Sequence, residues 1–290
     1  MSVELTPITD ADVTAVAEFM HAHLNDQVPA SVWARGIPEP WKAEAPNHGF
    51  MLRDGQRVVG AYLALYSERM IAGRAEQFCN LSAWCVLPEF RFYSVRLLKA
   101  LLAQDGYHFT DLTPSGAVIP LNYRLKFRSL DTSAALIPNL PWPTLPRRTR
   151  ISTDPDVIAS ALTGADLEIY RDHMQAPTVH HLVLMRGGAT CYVMFRLTRV
   201  RTRPTGTRSA AGILHVSNPE LFRRAIGPLT RHLLVRHRLL LTLAELRIVG
   251  QRPFPSYILS PPAGPKMYRS ASLEPTQIDD LYSELVCLPI

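Results

Sequence analysis

The sequence predicts a mixed α/β (α+β) fold laid out twice in tandem. Three observations carry this: apolar β-branched runs meet in hairpins at Asp54-Gly55 and again at Gly187-Gly188, amphipathic stretches of helical spacing lie between the strand runs, and short strings recur in the same order. Val86-x-Pro88-Glu89 is echoed by Asn218-Pro219-Glu220 after Val216, and Lys126-Phe127-Arg128-Ser129 by Lys266-Met267-Tyr268-Arg269-Ser270. Between the copies, residues 131–150 hold four prolines and a basic end, the composition of a linker. With 290 residues, 47% of them hydrophobic, the chain can fill two cores of roughly 130–150 residues each.

The elements follow in order. From Asp10, an N-cap candidate, Val13, Val16, Ala17, Met20 and Leu24 recur at helical spacing and predict an amphipathic first helix. Gly36, Pro38 and Pro40 break a second helical piece that starts near Ser31. The hairpin at 54–55 comes next, then a strand, EQFCNLSAWCVL, a turn, and a leucine-rich helix over 95–103. YHFTDLT reads as a strand, and GAVIPLNYRLKF as a short helix entering another strand that continues through RSLDTSAALIP. The second copy reads as a polar-capped helical piece (153–174), the hairpin at 187–188, a strand ending at Val216 and a helix over 225–237. LAELRIVG and KMYRS are strand candidates, and PTQIDDLYSELV is a final helix. The expected division is residues 1–131, a linker 132–151, and residues 152–290.

Composition excludes several classes. No apolar run reaches the ~18–20 residues of a membrane span, and the N-terminus is acidic and polar rather than basic then apolar, so a cytoplasmic protein is expected. Cys79, Cys85, Cys191 and Cys287 show neither CxxC nor zinc spacing, so neither a disulfide framework nor a metal is expected. The net charge of +6 suits an anionic partner. Its clusters at 146–150, 199–208 and 221–238 are read as solvated faces or loops. No G-x-S-x-G, phosphate-binding P-loop or dinucleotide fingerprint occurs, which removes hydrolase, kinase and dehydrogenase readings.

The stretch CVLPEFRFYSVRLLKALL, Cys85 to Leu102, places a strand end, a Pro-Glu turn and a helix start in succession, an arrangement that gathers backbone N–H groups at one point. In its Val86-x-Pro88-Glu89-x-Arg91-Phe92-Tyr93-Ser94-Val95-Arg96 run, followed by Leu97, Leu98, Leu101 and Leu102, the chain resembles the GNAT superfamily of acyltransferases. The resemblance covers residues 1–131 well and 152–290 loosely. It implies two tandem GNAT-like domains, each a mixed, mostly antiparallel sheet flanked by helices. It implies acyl-CoA, with an acetyl or longer chain, as co-substrate, its pyrophosphate held by residues 91–96 and its pantetheine arm beside Val86. Ser94 and Arg96 replace the family's small glycines, and both side chains can donate to phosphate. Leu121-Asn122-Tyr123-Arg124-Leu125-Lys126-Phe127 aligns with the family's Leu-Tyr-x-x-x-Gly-Phe. Asn122 thus occupies the place of the tyrosine that protonates the CoA thiolate, with Tyr123 one position along.

Acyl transfer to an amine needs a polarised thioester, a base for the amine and an acid for the thiolate. Glu76, Asn80, Ser82, Trp84 and Val86 share one parity, so in a regular strand Glu76 would face the cleft as the base. His108 and Asp111 stand behind it. In the second copy, Arg224-x-x-Gly227 is a partial phosphate loop and His215 a candidate base, and the copy is expected to be inactive, building a substrate wall or a pseudo-dimer interface. His180 and His181 alternate faces and cannot chelate one metal together. The expected activity is transfer of an acyl group from acyl-CoA to an amine or hydroxyl of a small-molecule acceptor, without a covalent enzyme intermediate. The alternatives are an acyl carrier protein, or after it a charged tRNA, as donor, and a non-catalytic module that binds an acyl thioester. DNA is not an expected partner, and either a monomer or a homodimer would serve.

Overall fold

The computed structural model describes residues 3–41, 44–143, 149–202, 206–259 and 264–288. The chain begins with β1 (Val3–Pro7) and then α1 (Val13–His23), entered through a 3-10 turn at Asp10–Asp12. The cap lies one residue before the expected Asp10: Thr9 donates from its hydroxyl to Asp12 Oδ2 at 2.7 Å, and its N–H reaches the same oxygen at 3.0 Å. Helix α2 (Ala30–Gly36) starts behind Pro29 and stops before the prolines. Strands β2 (Gly49–Asp54) and β3 (Arg57–Ile71) form the hairpin read at Asp54-Gly55, where Gly55 takes a positive φ. Strand β4 (Arg74–Val86) returns antiparallel, a 3-10 turn at Pro88–Tyr93 follows, and α3 (Ser94–Leu102) buries Leu97, Leu98 and Leu101. Then come β5 (Tyr107–Asp111), parallel to β4, α4 (Ile119–Arg124) and the two-residue β6 (Arg128–Ser129).

The chain then departs from the expected continuous strand. Asp131 accepts the N–H of Ser133 at 2.8 Å and turns the backbone, and β7 (Ala134–Pro138) belongs to a second sheet. That sheet continues with β8 (Arg150–Ser152), after which α5 (Pro155–Ala161) is capped by Asp154 and α6 (Gly164–His173) follows. The hairpin of β9 (Val179–Arg186) and β10 (Ala189–Thr202) turns at Gly187-Gly188, both at positive φ. Strand β11 (Gly206–Val216) leads through the Asn218 cap to α7 (Pro219–Arg224) and α8 (Ile226–His237). LAELRIVG is half strand, β12 (Leu241–Glu245), and half helix, α9 (Leu246–Val249); β13 (Tyr257–Ile258) is short. The chain ends with β14 (Met267–Arg269) and the one-turn α10 (Glu284–Cys287), behind a 3-10 turn at Pro275–Gln277. The final helix expected over PTQIDDLYSELV is therefore two short turns.

The two seven-stranded sheets run β1-β2-β3-β4-β5-β14-β6 and β8-β9-β10-β11-β12-β7-β13. Read position by position they have the same plan, and in each the sixth strand comes from the other half of the chain. Strand β14 pairs with both β5 and β6, and β7 with both β12 and β13. The compact units follow this exchange: residues 1–130, 265–278 and 282–290 form one, and residues 131–264 and 279–281 the other. The expected linker 132–151 and second domain 152–290 differ from this division for a physical reason. Inside the proline-rich stretch, Ala134, Ala135 and Ile137 are fully buried core, so their apolar side chains outweigh the flanking prolines as structural signals. The basic run at 146–150 lies mostly outside the described residues.

Candidate active site

In the first unit, β4 and β5 pair in parallel only over Gln77–Asn80 and Tyr107–Thr110. Beyond that, β4 runs on to Val86 while β5 stops at Asp111. A register shift against β3, where Tyr62 pairs with Trp84 but Ala64 with Leu81, places a bulge at Ser82-Ala83. The opening holds a cavity of about 790 Å³. Tyr62 lines it from β3, Ser82 through Pro88 from β4 and its turn, and Arg91 and Ser94 from the start of the helix. Asp111, Thr113 to Ser115 and Val118 come from the end of β5 and the next loop, and His23 to Asn25 from the end of α1.

Tyr62 and Trp84 stack at 4.5 Å between centroids and 5° between planes, forming an aromatic wall. Ser82 Oγ and Trp84 Nε1 are shielded from solvent, with no hydrogen-bond partner among the described residues. Shielded polar atoms that line a cavity are natural contact points for a ligand. The Cys85 thiol is pushed up by burial, which the Arg91 guanidinium partly offsets. It therefore stays protonated and is a poor nucleophile.

The run from 86 to 96 divides. Val86, Arg91 and Ser94 line the cavity, but Phe92 is 92% exposed, Val95 is exposed, and Tyr93 stacks edge-on to Phe92. Arg96 reaches the Val3 carbonyl at 3.4 Å and lies over the Tyr93 ring. Without glycine the segment winds as a 3-10 turn straight into α3, so successive side chains fan around an axis instead of lining one loop.

The candidate acid and base residues also redistribute. The bulge breaks the parity that linked Glu76 to Trp84, and Glu76 lies outside the cavity lining, bonded to His108 Nε2 at 2.9 Å. Tyr123 is exposed and bonds Ser129 Oγ at 2.5 Å, also outside the lining. Asn122 is fully buried and donates from Nδ2 to Asp111 Oδ2 at 2.8 Å, so it touches the cavity only through Asp111.

Two buried carboxyl groups meet at this end of the cavity: Asp111, which the sequence offered behind Glu76, and Glu284, which it did not single out. Burial raises Asp111 to about 6, against opposing hydrogen bonds from Asn122 and the Thr113 amide. Burial also raises Glu284 to about 7, with the Asp111 charge adding to the effect. Thr113 donates its hydroxyl to Glu284 Oε1 at 2.8 Å, and the Glu284 N–H bonds Asn80 Oδ1 at 3.1 Å. Glu284 Oε2 is buried with no partner among the described residues. The available signal for Glu284 was a single acidic residue inside the apolar run from Leu281 to Leu288.

The corresponding place in the second unit is filled. Strands β11 and β12 pair in parallel over Ala210–Gly212 and Leu241–Leu243, and α9 packs against both β11 and α7. Val216, Phe222, Ala225 and Val249 join one buried apolar cluster there. Arg224 is exposed and paired with Glu220 at 2.6 Å, and His215 is half-buried 4.0 Å from Asp166, with desolvation lowering its proton affinity. His180 stacks on Phe195, whereas His181 bonds the Tyr192 hydroxyl at 2.7 Å. Among the described residues no group of three or more His, Cys, Asp or Glu side chains is placed to hold a metal, and no helix is long and apolar enough to cross a membrane.

This architecture defines a fold class, that of two tandem GNAT-like domains. No family model matches the chain, and no curated protein does. Among solved structures, a GCN5-related N-acetyltransferase from Anabaena variabilis is similar at 14% identity and a TM-score of 0.58, covering 92% of this chain and 72% of that one. A probable N-acyltransferase from Enterococcus faecalis reaches a TM-score of 0.59 at 10% identity, over 93% and 73% of the two chains. N-myristoyltransferase of Saccharomyces cerevisiae, solved with myristoyl-CoA, reaches 0.51 at 9% identity, over 100% of this chain and 85% of that one. At these identities the likeness is one of fold: the chain has two tandem GNAT-like domains.

Proposed function

We propose that the first unit is an acyltransferase that moves an acyl group from acyl-CoA directly to an amine or hydroxyl of a small acceptor. The observation that carries this reading is the parting of β4 from β5 over a cavity with Arg91 and Ser94 at its helix end. In that arrangement Arg91 and the Ser94 hydroxyl hold the pyrophosphate through charge-assisted hydrogen bonds. The pantetheine arm lies along Trp84 to Val86, whose free β4 edge offers backbone hydrogen bonds in place of a strand. An N–H on that edge polarises the thioester carbonyl. Direct transfer is favoured over a covalent intermediate because Cys85, the thiol on the cavity wall, is held protonated. The second unit serves as a scaffold, since apolar side chains fill its equivalent opening.

A carrier-protein donor is the second reading, favoured by the exposed Phe92 and Val95 beside the exposed Arg96. An apolar patch edged by arginine suits an acidic helix. Thermal-shift titration with CoA, acetyl-CoA, a long-chain acyl-CoA and an acyl carrier protein separates the two. Stabilisation by free CoA thioesters supports the first reading, and stabilisation by the carrier alone supports the second. No response to any of them removes both.

A further inference from the structure

Resting on that acyltransferase reading, we propose that Asp111 takes the proton from the acceptor's ammonium and that Glu284, contributed by the C-terminal segment, is the positioning residue that keeps one proton and one negative charge on the carboxyl pair.

The geometry is specific. Asp111 lines the cavity on the side opposite no other acid, for it is the single carboxylate among the lining residues, and Thr113 beside it ties the two acids together. The Thr113 amide N–H bonds Asp111, and its hydroxyl bonds Glu284 at 2.8 Å. Asn122 Nδ2 donates to Asp111 Oδ2 at 2.8 Å. Glu284 is fully buried and has no cation bonded to it among the described residues, so a second full charge beside Asp111 is strongly disfavoured. The other ionisable groups facing the pair are Tyr62 from β3 and Cys287 from α10, both pushed up by burial and so neutral at working pH. Asn80 from β4, Asn122 from α4 and Met267 from β14 carry no charge, while Arg91 and His23 line the same cavity.

The step balances. The acceptor R–NH3+ gives one proton to the Asp111 carboxylate, and the freed nitrogen lone pair forms a bond to the thioester carbonyl carbon. The C–S bond breaks with its electron pair on sulfur, and the second proton leaving nitrogen ends on that sulfur as CoA–SH. Asp111 then releases its proton to water through the cavity. A carboxyl with a proton affinity near neutrality suits this task better than an ordinary aspartate.

The test pairs two readouts on the full chain. Infrared titration between pH 4 and 9 follows the carbonyl stretch of protonated carboxylic acids in wild type, D111N and E284Q. The expected result is two coupled steps in wild type and one in each variant. Thiol release from acetyl-CoA with a panel of primary amines is measured across the same range. D111N is expected to bind CoA yet lose roughly 10²–10⁴-fold in kcat/KM together with the low-pH limb near 6. E284Q is expected to change the pH profile to a single-group form. D111N turning over like wild type, or a titration unchanged by E284Q, overturns the proposal and leaves acyl transfer standing. Wild-type protein that binds no CoA thioester sinks the transferase reading and the base role with it, while the pair's shared proton is still decided by the infrared titration.

Discussion

Replacing Glu284 with Gln changes how stability depends on pH, and the size of the effect follows from burial. Glu284 is fully enclosed, and its proton affinity rises from an ordinary 4.5 to about 7. Each tenfold difference in proton affinity between folded and unfolded chain is worth 1.36 kcal/mol, so the proton on Glu284 contributes about 3 kcal/mol. A group that binds its proton more tightly when folded stabilises the fold fully below its unfolded value. That contribution drains away as pH rises, here across the window from about 4.5 to about 7. Gln cannot ionise, so E284Q keeps the Thr113 hydrogen bond and loses the pH dependence. Any constant cost of the new amide cancels when the variant is compared with itself across pH. Urea unfolding gives the number, and tryptophan fluorescence isolates the first unit because Trp33, Trp41 and Trp84 all lie there. A Trp142→Phe background silences the fourth. The stability of E284Q relative to wild type should rise by about 3 kcal/mol between pH 4 and pH 8. A flat difference would refute the argument that burial holds Glu284 protonated.

Arg91→Ala removes the guanidinium from the helix end of the cavity and should weaken CoA by about tenfold or more, the worth of one charge-assisted hydrogen bond, as read by calorimetry. Its effect on desulfo-dephospho analogues lacking the pyrophosphate should be far smaller. Ile137→Ala cuts a fully buried side chain of β7 and should destabilise the second unit by about 2–4 kcal/mol. A proline-rich linker would instead tolerate that change within experimental error in denaturant titration.

What the sequence disclosed tracks local chemistry. Asp54-Gly55 and Gly187-Gly188 marked their hairpins because positive-φ turns are written in adjacent residues. Val86, Arg91 and Ser94 could be placed at one point from sequence because strand end, turn and helix start are contiguous. The strand exchange was hidden, since β7 and β14 are strands of five and three residues whose partners are chosen by the core and not by their neighbours in sequence. Periodicity misled at Glu76 because a bulge shifts parity without leaving a residue signature. Glu284 escaped notice because its partner Thr113 lies 171 residues away, so nothing local ties the two together.

The central claim is that CoA occupies the opening between β4 and β5. A crystal structure of the chain grown with CoA tests it most directly. The pantetheine arm is predicted to lie along Trp84 to Val86, with the pyrophosphate at Arg91 and Ser94. CoA bound away from that cavity, or a cavity left empty at saturating CoA, would contradict it.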